Sequence, residues 1–95
     1  MPVIGVLTLE LIVEESHSLK EKRNVVKGLK DRLRSRFNVA VAEIGGHGTW
    51  QRAVVAAVTV SNERPHAEKT LQIVEKDAAN FLGGILIDAS VEWID

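Results

Sequence analysis

Eight basic side chains, Lys20, Lys22, Arg23, Lys27, Lys30, Arg32, Arg34 and Arg36, fall within residues 20–36, interrupted by only two acids, Glu21 and Asp31. That window carries +6 against −7 over the rest of the chain, a separation hidden in the net charge of −1. Cations at this density suit a polyanion, because each lysine or arginine that neutralises a phosphate releases condensed counterions, and the affinity so gained falls as salt rises. The side chains such a surface would use are Lys20, Lys22, Arg23, Lys27, Lys30 and Arg34; of these, Lys20, Lys27 and Arg34 recur at sevens. A solvated helix face whose basic groups pair with Glu68, Glu75 and Asp77 is the competing reading. The residues alone leave both open.

Other chemistries have less material. The absence of cysteine removes disulfides, thiolate zinc sites and cysteine nucleophiles, and fits a reducing, cytoplasmic setting. His17, His47 and His66 show neither i,i+4 nor HxH spacing, so no metal or other cofactor is expected. Gly45, Gly46 and Gly48 resemble a phosphate cradle only superficially. Such loops run from a strand into a helix with a lysine and a hydroxyl, whereas here a β-branched run follows and a hairpin is the plainer reading. Glu43 interrupts an apolar run. With a hairpin loop over residues 46–49 it stands opposite Arg52 as a cross-strand ion pair, and a one-residue shift sets it against Gln51. General acid or base work needs a partner group and a pocket, neither legible, so no catalytic residue and no enzymatic activity are expected. Trp50 and Trp93 read as packing or interface residues.

The elements that position these groups follow from hydrophobic periodicity. Ninety-five residues with 45% hydrophobic and 26% charged side chains make one small folded domain. Residues 3–13 alternate as a strand, and Thr8 and Glu10 keep the opening run from reading as a leader. From Ser18 the period becomes helical through Leu19, Val26, Leu29, Leu33 and Phe37, with Ser18 and Glu21 spaced as a capping box. A short strand over 39–44, a hairpin and a strand to residue 61 come next. Ala67, Leu71, Val74, Ala78 and Phe81 mark a second amphipathic helix that ends at Gly83-Gly84, and the last run alternates again. No 18-residue apolar stretch exists, so no membrane span is expected.

This β-α-β-β-α-β order predicts an α+β ferredoxin-like sandwich: a four-stranded antiparallel sheet, order 4-1-3-2, with two helices on one face. The uncovered face would then present Ile4, Val6, Ile12 and Leu86, an apolar patch suited to self-association. Sheet-face RNA recognition of the RRM kind needs central aromatics, which the first and third strands lack, so RNA would be met by charge on the helix or loops.

The run Ser18-Leu19-Lys20-Glu21-Lys22-Arg23, with Phe37-Asn38-Val39, Val41-Ala42-Glu43 and Trp50-Gln51-Arg52-Ala53, resembles the YlxP-like family of small uncharacterised bacterial proteins over essentially the whole chain. The resemblance implies a ferredoxin-like fold and a cytoplasmic bacterial protein, with genes often near those of translation and transcription factors. It implies no reaction. The expectation is therefore a cytoplasmic accessory protein contacting RNA or a ribosomal particle through its basic helix. The alternative is a homo-oligomeric interaction module that binds no nucleic acid.

Overall fold

The computed structural model describes residues 1–13, 19–49 and 51–94. His17, Trp50 and the Ser18 half of the capping box lie outside the described residues. The elements are β1 (Val3–Ile12), α1 (Leu19–Arg36), β2 (Ala40–Gly45), β3 (Arg52–Ser61), α2 (Arg64–Leu82) and β4 (Leu86–Ile94), with a 3-10 turn, Gly83–Ile85, before the last strand. All strand pairings are antiparallel in the order β2-β3-β1-β4, which is 4-1-3-2 taken from the other edge. This is the ferredoxin-like α+β sandwich that the periodicity predicts. No helix is long and apolar enough to cross a membrane among the described residues.

The alternation of β1 decides which face the helices cover. Leu7, Leu9 and Leu11 are fully buried and meet Val26, Leu29 and Leu33 of α1 and Leu71, Val74 and Ala78 of α2 in one core. Gly5 continues that face, because a Cβ there would stand 2.7 Å from both Leu71 Cδ1 and Trp93 Cζ3. Only a residue without a side chain lets helix and tryptophan close over the strand. Gly28 in α1 is different: the Phe81 ring packs near it, but a Cβ would stand 3.4 Å from Cζ, an ordinary contact that does not require glycine. Phe81 is accordingly half-exposed between the helices, and Leu82 takes the core position instead.

Two registers differ from expectation. A bulge in the β1–β4 pairing after Glu10 sets Leu86 opposite Leu11, so Leu86 packs against the core on the helix side and does not join the open face. A second bulge, between Glu43 and Gly45, together with a longer connection to β3, sets Glu43 opposite Val55 rather than Arg52. Arg52 instead reaches Glu10 at 2.7 Å, a pair spanning β1 and β3 on the open face.

Candidate nucleic-acid interface

At 100° per residue the buried face of α1 runs through Val26, Leu29 and Leu33, and Lys22 falls on the same line, one turn earlier. Lys22 is 2% exposed. Its Nζ donates to the carbonyl oxygens of Gly46 at 2.7 Å, Thr49, and Arg52 at 3.2 Å. All three acceptors belong to the β2–β3 connection, which closes on itself through the Thr49 N–H and hydroxyl, each donating to Gly46 O at 3.1 Å. Gly46 has φ +80, and a Cβ there would meet Arg52 O at 2.3 Å, so the glycine is what lets the loop present these carbonyls. The expectation that Lys22 contacts nucleic acid is thus corrected: the ammonium is buried and its three protons are directed at backbone carbonyls.

The other expected residues come together. Lys20, Arg23, Lys27, Lys30 and Arg34 project within an arc of about 80° on the flank of α1 nearest β2. Lys27 pairs with Asp31 at 2.8 Å one turn away, and that hydrogen bond holds the Asp31 carboxyl below its ordinary range. Arg34 donates to Val41 O of β2 at 2.6 Å, anchoring the lower end of the stripe. Lys20, Arg23 and Lys30 make no ion pair or hydrogen bond among the described residues. Arg32 and Arg36 leave by the other flank: Asp77 of α2 accepts from Arg32 at 2.8 and 3.1 Å and from Arg36 at 3.4 Å, and Arg32 lies 5.2 Å above the Phe81 ring. Pairing with the second helix therefore accounts for these two arginines, while Glu68 pairs with Arg64 of its own helix.

Between the stripe and β2 lies a groove of about 330 Å³, lined by Arg23, Lys27, Lys30, Asp31 and Arg34 on one side and Glu43 on the other. The Glu43 side chain is 17% exposed, with Oε1 4.0 Å from His47 Nε2. Its Oε2 is buried without a hydrogen-bond partner among the described residues. Four cations thus share one concavity with two carboxylates, Asp31 paired with Lys27 and Glu43 incompletely paired. Alternation from Val39 and Val41, both packed on the core side, puts Glu43 on the helix-facing side of β2, before the bulge.

The open sheet face carries Ile4, Val6 and Ile12 of β1 beside Val58 and Val60 of β3. Ile44, Val60 and Ile94 are more than half exposed. Trp93 sits on the helix side, its ring under the Arg64 guanidinium at 4.6 Å, so no aromatic ring lies on the open face among the described residues.

Residues 4–91 match the family model described as "Protein of unknown function (DUF503)". The chain is 43% identical over 72 residues to "Uncharacterized protein YlxP" of Bacillus subtilis (strain 168), covering 76% of this chain and 78% of that one. Among solved structures it is similar to the de novo designed protein Foldit4, with TM-score 0.62, 10% identity and coverage of 100% and 98%. The designed protein LFR1 1 with ferredoxin fold gives TM-score 0.44 at 12% identity, covering 99% and 84%.

Proposed function

The chain belongs to the DUF503 family of proteins of unknown function, and within it we propose that this protein is a non-enzymatic, cytoplasmic accessory factor that contacts RNA or a ribonucleoprotein through the outer stripe of α1. The observation that carries the reading is the segregation of cations. Five basic side chains share one flank and three of them make no ion pair or hydrogen bond among the described residues, while the acids Glu68, Glu75 and Asp77 lie on α2. Phosphates spaced along a strand can be met by such a stripe one by one, without any stacking platform on the sheet.

Lys20→Glu, Arg23→Glu and Lys27→Glu combined is the informative variant, since all three side chains are exposed and none supports the core. Binding to ribosomal particles and to unstructured RNA, followed by fluorescence anisotropy or co-sedimentation at near-physiological salt, should weaken at least about tenfold. The slope of log affinity against log salt should shrink by about 2, from three lost phosphate contacts at about 0.7 each. Wild type that binds neither, or a variant that binds both as well, overturns this reading.

The open sheet face supports a second reading, self-association, because Ile4, Val6, Val58 and Val60 form a continuous apolar surface outside the helical layer. Val6→Lys should then shift sedimentation toward monomer at micromolar concentration while the melt stays cooperative; a monomeric wild type removes the premise.

A further inference from the structure

Two carboxylates line the groove and they differ: Asp31 is paired with Lys27 at 2.8 Å, whereas Glu43 has no hydrogen-bond partner for its buried oxygen among the described residues. A carboxylate among Arg23, Lys27, Lys30 and Arg34 opposes the phosphates those cations attract. The fold makes little use of Glu43, whose Oε1 comes only within 4.0 Å of His47 Nε2. Oε2 is enclosed, so a ligand in the groove meets the carboxylate through Oε1, and an ionised carboxylate can only accept. A ligand that completes this site must bring, into one groove, phosphates for the cations and an O–H or N–H donor for Glu43.

Resting on the reading of α1 as an RNA-contacting surface, we propose that Glu43 accepts a hydrogen bond from a ribose 2′-hydroxyl and so makes the groove prefer RNA over DNA. The 2′-hydroxyl is present on every ribonucleotide, sits on the sugar that joins two phosphates, and is the group that DNA lacks. A groove of about 330 Å³ is at the small end of ligand sites and suits one nucleotide unit rather than a duplex. The carboxylate weakens the grip on any phosphate chain, and only a chain carrying the donor recovers the loss. Discrimination therefore comes from penalising the wrong ligand as much as from attracting the right one.

The test compares wild type with Glu43→Leu on three probes of equal length: oligouridine, oligodeoxyuridine and 2′-O-methyl oligouridine. The probes share one base and differ at the sugar. Wild type should bind oligouridine about tenfold tighter than the other two, the discrimination of one hydrogen bond to a charged group. Glu43→Leu should bind all three alike, with oligodeoxyuridine bound more tightly than by wild type. Its melting temperature should equal or exceed that of wild type, because an apolar group replaces an unpaired acceptor. Glu43→Gln, which keeps the shape and loses the charge, should show a reduced preference and stands in if the leucine variant fails to fold. Wild type that binds all three equally, or a Glu43→Leu variant that tightens all three in parallel, overturns the role of Glu43 and leaves the RNA reading standing. Wild type that binds none of them overturns both.

Discussion

Lys22→Met is expected to lower stability by about 2–4 kcal/mol, which for a domain of this size moves the melting temperature down by more than about 10 °C. Methionine keeps the apolar stem that crosses the core edge but offers no donor. The Thr49 carbonyl loses its ammonium partner, whereas Gly46 O retains the Thr49 N–H at 3.1 Å, leaving the single Thr49 hydroxyl proton for Arg52 O at 3.1 Å. Relief from desolvating the ammonium offsets part of the loss, so the cost lies below the sum of three charge-assisted bonds. Arginine should not rescue the site, because a planar guanidinium cannot direct three donors at carbonyls converging on one nitrogen. Thermal melts and amide exchange across the β2–β3 connection check this: the loop amides should lose protection first. A Lys22→Met protein that melts like wild type but binds polyanion less tightly would return Lys22 to the surface stripe.

The other large effect belongs to Leu33. Its side chain is fully buried between α1 and the sheet, in the cluster that includes Leu9, Leu29 and Val41. Truncation to alanine removes three heavy atoms where the strands limit collapse, so Leu33→Ala should cost about 2–5 kcal/mol. In urea the midpoint should fall while the slope stays near wild type, since the folded state remains compact. Unfolding curves that superimpose on wild type would mean that α1 is rotated from the register described above.

Much of this architecture is legible in the residues because the hydrophobic period changes cleanly between elements, and tight returns supplied by glycine leave few ways to connect them. The places where the sequence misleads trace to strand register. An extra residue in a strand reverses the facing of everything beyond it. Leu86 moves to the core side through such a bulge, whereas Glu43 keeps the facing set by Val41 and is parted from Arg52 by the longer β2–β3 connection. Lys22 is different, for a signal was present: the row Val26, Leu29, Leu33 extends back by one turn onto a lysine, where the helix period asks for an apolar residue. A charged residue on a core line asks which acceptors will surround it, and the glycine-bearing connection between two strands is a natural supplier.

The division of charge between α1 and the rest of the chain also governs how the molecule turns before it touches anything. With a net charge of only −1, attraction or repulsion at long range is nearly cancelled, but the separated +6 and −7 exert a torque in any external field. A polyanion therefore rotates the protein until the Lys20–Arg34 flank leads, and successful collisions become more frequent than random tumbling allows. Because that alignment acts across water, it fades as the screening length drops below the size of the domain, roughly 10 Å at 0.1 M salt. Association kinetics would register the loss of orientation even where final contacts are unchanged.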